Sequence, residues 1–490
     1  MSGVPITSVD FFCRSKPEGD RFALCVPNRD LTKGPNNLTN SFYAAVPAEG
    51  SVLAILSDIR SRFNNATGEI AQIDQRPGLF NLPQQGVLLF DVTNLLPEFI
   101  FKKNFKEEDY PGPNCFYSAL ASSGIITGDP RYVDDLELSY YLTLYFEPAS
   151  GTDALKLGTI VLFNSISYRF APKSPSETYT KYTLGTQRTR KFCRDTQGGD
   201  CYQLPLSHEH SKKSSRFYTR NPAQTLPPLY DAGEHAAFTL PSGFLMHKLS
   251  WRLDDRYEVV AFEEATKNLD YAAWSHADRF GRPDAPTYQK YSAVYFIKSA
   301  SPHKTYEPIP MSESVKQGLL NIFSFYSNAL ESVRTANSDE NFDHARLNLL
   351  SIDNAWQFLR DFGDKTLKST PSNMLRLDKD VAAAYLKFHS LIWQYEAVKE
   401  TFTKPDNEGN INESIRKRKE LYKKHYLKDI DFLRAETYTH FAARGVPPEE
   451  MPALFDRLMA RIKEQLPIVI DAAGSGEGMQ FYKLLDETCR

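Results

Sequence analysis

Cys115 follows a Pro111-Gly112-Pro113-Asn114 run and precedes Phe116-Tyr117-Ser118-Ala119-Leu120. Proline and glycine keep 111–113 out of a helix, asparagine is a good N-cap, and the residues beyond it suit a buried helix. The spacing predicts a helix whose first turn carries Cys115. Unpaired backbone N–H groups and the helix dipole there favour the thiolate, which is the nucleophilic form. Far downstream, His235 heads the alternating run ending at Leu240, and His247 closes Phe244-Leu245-Met246-His247 after a Pro241-Ser242-Gly243 turn. Paired as a hairpin, the two strands bring both imidazoles to one end of a sheet. A single Cys before apolar residues is most often an inert buried thiol, and a single strand His is most often filler. The order and turn context of all three together point to a thiol nucleophile with a histidine base.

Segment 111–262 resembles the NlpC-type cell-wall cysteine peptidases, a family with a papain-like fold. Asn114-Cys115 stands where that family's cysteine opens its helix. Gly158-Thr159-Ile160-Val161-Leu162-Phe163 matches its central strand, and His235 to His247 matches its histidine hairpin. The chain departs from the pattern at Phe116-Tyr117, where a Ser-Gly pair is usual, and in an insertion over about 165–232, expected to form a loop or lid over the groove. The resemblance implies amide hydrolysis through an acyl-enzyme, in bacterial peptidoglycan stem peptides and of the D,L-endopeptidase type. Cys115 would attack, His235 would act as base and then acid, and His247 would orient the ring. The oxyanion is expected on the Cys115 N–H and a second donor, for which Tyr110 is the candidate. Two alternatives stand beside this reading: a papain-like amidase, deamidase or transacylase effector acting on protein, and a non-catalytic wall-binding or scaffold protein. A permuted acyltransferase is disfavoured because Cys precedes His. No cofactor or metal is expected, since His208-Glu209-His210 lacks the His-Glu-x-x-His spacing of two ligands on one helical face and reads as a solvated loop.

Three regions must position these residues. Residues 1–105 read as a β-rich module, with strands over 9–13, 21–26 and 86–92 and a short helix over 52–63. Residues 106–308 form the expected papain-like domain, with further strands at 257–262 and 291–297, and Leu136–Phe146 open to either helix or strand. From 309 to 490 apolar residues recur at three- and four-residue spacing, which predicts a helical bundle over 312–336, 341–362, 377–402, 412–444 and 448–472. The fold class expected is α+β. Arg416-Lys417-Arg418-Lys419 with Lys423 and Lys424 reads as a solvated basic face, diluted by Glu420, Asp429 and Asp431.

A chain of 490 residues, 41% hydrophobic and 13% aromatic, is long and apolar enough for two or three cores. A formal charge of −3 argues against a general nucleic-acid binder, which carries a basic excess. No apolar stretch approaches the roughly 18 residues of a membrane span. The partner expected is peptidoglycan or a peptide; nothing in the residues specifies an oligomer. Met1–Thr7 lacks the basic start and apolar core of a signal peptide, which taken literally means cytoplasm. The close cysteine pairs Cys13/Cys25 and Cys193/Cys201 instead favour an oxidising compartment, periplasmic or extracellular, and a leader already removed.

Overall fold

Alternating strands in the first half and amphipathic helices in the second give an α+β chain. The computed structural model describes residues 11–15, 21–28, 40–73, 86–149, 156–169, 189–193, 201–205, 229, 235–253, 255–265, 287–299, 306–338, 341, 362–367, 371–402, 416–417, 420–421, 430–458 and 460. His208-Glu209-His210, most of the insertion, the body of the helix expected over 341–362, and Arg418, Lys419, Lys423 and Lys424 lie outside these residues.

Strands β1 (Phe11–Ser15), β2 (Ala23–Pro27), β3 (Tyr43–Pro47), β4 (Ala71–Ile73) and β5 (Val87–Asp91) make an antiparallel sheet in the order β1-β2-β3-β5-β4. Cys13 lies directly opposite Cys25 across β1 and β2, and the two are disulfide-bonded. The period-two alternation sends Leu24, Val26, Ala44 and Val46 to one face and Ala23, Cys25, Tyr43 and Ala45 to the other. Helix α1 (Val52–Arg62), capped by Ser51 Oγ accepting from the Ala54 N–H at 3.2 Å, lays Ile55 and Ile59 on the first face.

A second sheet holds β6 (Phe146–Ala149), β7 (Thr159–Arg169), β10 (His235–Leu240), β11 (Phe244–Lys248), β12 (Tyr257–Ala261) and β13 (Thr287–Lys298). Its order is β12-β11-β10-β7-β13-β6, and every pair is antiparallel. Within the insertion, β8 (Thr189–Cys193) pairs with β9 (Cys201–Pro205) in a register that sets Cys193 opposite Cys201.

Helices α2 (Glu98–Lys103) and α3 (Cys115–Ser122) contribute to one core that contains side chains of both sheets. The boundary expected near 105 therefore runs through shared packing. Leu136–Phe146 resolves as helix α4 (Asp135–Tyr145), whose Asp134 cap accepts from the Glu137 N–H at 2.9 Å. Its pattern was ambiguous for a physical reason. Leu138 and Leu142 enter the central core, while Leu136, Tyr140 and Leu144 enter the helical core, so the helix has no single apolar stripe. That helical core is built chiefly on α5 (Glu313–Thr335) and α6 (Lys379–Phe402), with Phe441 from α7 (Ile430–Ala443). Among the described residues no helix is long and apolar enough to cross a membrane.

Candidate functional site

Loop 111–114 delivers Cys115 as the sequence leads one to expect. Asn114 is extended (φ −117°, ψ −174°), and its Oδ1 accepts from the Tyr117 N–H at 3.1 Å, the N-cap bond. The same side chain is tied to the approach to α4, accepting from the Val133 N–H at 3.3 Å and donating Nδ2–H to Val133 O at 2.7 Å. Cys115 is the first residue of α3, and all eight residues of that short helix are buried where it packs against β10 and β11.

The thiol is buried as well, at 6% exposure. Burial pushes Cys115 up to about 11, against the backbone N–H groups of Ala236, Phe116 and Cys115 itself and the charge of Lys248, all of which favour the thiolate. The helix N-terminus favours the thiolate as expected, but burial acts more strongly in the other direction. Desolvation in a packed core outweighs the N–H groups and the dipole, whose influence is worth only about 1 kcal/mol.

His235 and His247 are brought together. His235 Nε2 and His247 Nδ1 lie 3.0 Å apart with both rings buried, at an interplanar angle of 89°. Burial first, and His247 second, hold His235 well below the usual histidine range, so its ring is neutral.

Cys115 is not brought to that pair. Ala236, Phe238, Leu240, Phe244 and Met246 share the core of α3, whereas Val161, Phe163, Ala237 and Leu245 line the opposite face of the sheet. His235 stands directly opposite Phe163 in the β10–β7 ladder, with ring centroids 5.9 Å apart, and so belongs to that opposite face with His247. The residue whose amide meets the sulfur is Ala236, the immediate neighbour of His235. The helix and the strand thus converge as expected, but the pleat turns the ring away. Tyr110, the expected second oxyanion donor, spends its hydroxyl proton on Pro130 O at 3.2 Å and lies beneath the Arg334 guanidinium, 4.3 Å from its ring centre.

Sequence reading missed two groups. Lys248, next along β11 from His247, faces α3 and is only 1% exposed; its Nζ donates to Ser250 O at 2.7 Å and Arg252 O at 2.8 Å. Counting strand parity from Met246 would have found it. The second group joins α4 to α6. His389 Nδ1 bonds the Asp134 carboxylate, while its Nε2 accepts from Trp393 Nε1–H at 3.3 Å. Ser390 Oγ donates to Glu137 Oε2 at 2.6 Å and accepts from the Asp134 N–H at 3.0 Å. Ser, His and Asp meet here, yet the indole occupies the nitrogen a base would use, so the cluster holds helices together and does not activate Ser390. Among the described residues no cluster of three or more His, Cys, Asp or Glu is placed to hold a metal ion.

No model of a known protein family matches the chain, and comparison with curated proteins and with solved structures finds no match.

Proposed function

We propose that the chain is a cysteine hydrolase of the NlpC type with a papain-like catalytic domain, cleaving amide bonds in peptidoglycan stem peptides. One observation carries this reading: Cys115 opens a buried helix with its sulfur against the amide of Ala236, one residue from His235 at the head of β10. Nucleophile helix and histidine strand meet, which supports the reading although the pleat turns the ring to the other face. Burial raises the thiol and lowers His235, and both shifts oppose proton transfer between them as they lie, so catalysis requires a rearrangement that joins thiol and ring. His235 is the first residue of its strand, and displacement by one residue reverses the face a side chain takes. A local turn there would present the ring to Cys115. His235 would then take the thiol proton and return it to the leaving amine.

A second reading rests on an equally specific observation. A thiol buried at 6% exposure, with both imidazoles on the far face of the sheet, favours a chain without a working Cys-His pair, such as a non-catalytic wall-binding or scaffold protein.

Mass spectrometry of sacculi digested by the full chain and by Cys115→Ala separates the two. The hydrolase releases muropeptides cut within the stem, and the variant releases none. Identical spectra from both proteins sink the hydrolase and leave the scaffold. Release of ammonia from protein glutamine, with intact sacculi, redirects the reading to a deamidase effector.

A further inference from the structure

We infer that Gln394, on the bundle helix α6, is a positioning residue for Cys115, clamping the loop that delivers it. The Gln394 side chain sits between the two segments that meet at the start of α3. Its Nε2–H donates to Pro111 O at 2.6 Å, and its Oε1 accepts from the Tyr132 N–H at 3.4 Å. Asn114 joins the same two segments through Val133, so glutamine and asparagine staple them at neighbouring points. Gln394 is only 2% exposed, and a buried amide left without partners would be costly.

The fit also explains Gly112. A Cβ on that residue would lie 2.6 Å from Gln394 Nε2 and 3.1 Å from its amide carbon, so the amide packs flat against the glycine backbone. From the other side the Gly112 N–H donates to Trp251 O at 3.1 Å, in the loop after β11 whose carbonyls of Ser250 and Arg252 hold Lys248. Loop 111–114 is therefore gripped between the helical bundle and the sheet that carries the histidines. One turn earlier on α6, His389 and Ser390 bind Asp134, which fixes the helix against the same junction. The bundle is thus part of what sets the thiol's depth.

The catalytic consequence rests on Cys115 being the nucleophile, but the clamp is tested without turnover. Gln394→Met keeps the side chain's length and removes both hydrogen bonds. In the full-length variant, with its circular dichroism retained, the pH midpoint for iodoacetamide labelling of Cys115 should fall from about 11 toward the ordinary thiol value of 9.0. The rate near pH 8 should rise by at least about tenfold, because labelling follows the thiolate fraction and access. Gly112→Ala, which displaces the same amide and also strains a backbone at φ +155°, should move the profile the same way. A merely structural glutamine would lower the melting temperature and leave the labelling profile unmoved, which overturns the inference. Amide exchange on the unsubstituted protein gives an answer even where a variant fails to fold. The Tyr132 and Gly112 amides should exchange as slowly as those of α6, and exchange at the rate of an open loop rules the clamp out. Sacculi left intact by a protein that passes these tests would refute the hydrolase while the clamp stands.

Discussion

His235 Nε2 and His247 Nδ1 lie 3.0 Å apart on the face of the second sheet turned away from Cys115. Burial, and then the neighbouring His247, make His235 resist protonation. The pair has a definite signature in stability against pH.

His235 is held well below the ordinary 6.5 in the folded chain, so the unfolded chain binds the proton first as pH falls. Stability is then present above about pH 6.5 and declines as pH drops below it. His235→Gln keeps a polar side chain without a titrating ring. Urea unfolding at about pH 7.5 and about pH 5 should show a smaller loss for the variant than for the unsubstituted chain. Equal losses would place the His235 ring in water.

The Cys115 thiol has the opposite window. Its folded value of about 11 lies above the ordinary 9.0, so between those values the unfolded chain loses a proton that the folded chain keeps. Stability from this group is fully present below about pH 9 and is lost as pH climbs toward 11, by about 2–3 kcal/mol at the limit. Tyrosines titrate in the same range, so the informative quantity is the unsubstituted chain minus Cys115→Ala. That difference should shrink with rising pH, and a flat difference would mean a solvated thiol. Labelling of Cys115 near neutral pH should correspondingly be slow.

The local parts of the site were legible in the sequence, and the relations between them were not. Asn114 as cap, Cys115 as first helical residue, the Pro241–Gly243 turn and the Ser312 cap of α5 all depend on neighbours within a few positions. Parity was legible too. Ala236, Phe238 and Leu240 carry the larger apolar set of β10, which marks the helix-covered face and leaves His235 with Ala237 and Thr239 on the other. The hairpin match alone does not weigh that alternation. The depth of the thiol and the grip of Gln394 on Pro111 join residues 283 positions apart, and no local pattern encodes such docking. The resemblance to the papain-like family covers residues 111–262 and says nothing about α6.

The Cys13–Cys25 bond closes a loop with a sequence separation of 12 at the edge of the first sheet. A loop of that size contributes about 3 kcal/mol through the restricted unfolded chain. Reduction should therefore lower the denaturant midpoint, and the double variant Cys13→Ala/Cys25→Ala should reproduce the reduced protein. Thiol counting on unfolded, unreduced protein should find Cys13 and Cys25 blocked and Cys115 free. A reactive Cys13 in protein from its native compartment would remove the disulfide and, with it, the argument for an oxidising location.

Asn114 is the position where fold and chemistry are hardest to separate. Its side chain caps the Tyr117 N–H and makes two bonds with Val133, all of them buried. Asn114→Ala removes the cap and strands the Val133 amide and carbonyl, so the cost should reach about 3–4 kcal/mol, above the roughly 1 kcal/mol of an ordinary exposed cap. Asn114→Asp keeps the acceptor and brings a negative charge to the helix N-terminus, which the dipole favours, but it loses the donor to Val133 O. It should fold more stably than the alanine variant. The same carboxylate sits beside Cys115 and opposes ionisation of the thiol, so labelling of Cys115 should slow further in the aspartate variant and quicken in the loosened alanine variant. Denaturant midpoints read with iodoacetamide rates check both orders at once. Labelling rates that merely track stability across the three proteins would show that Asn114 acts on Cys115 through folding alone.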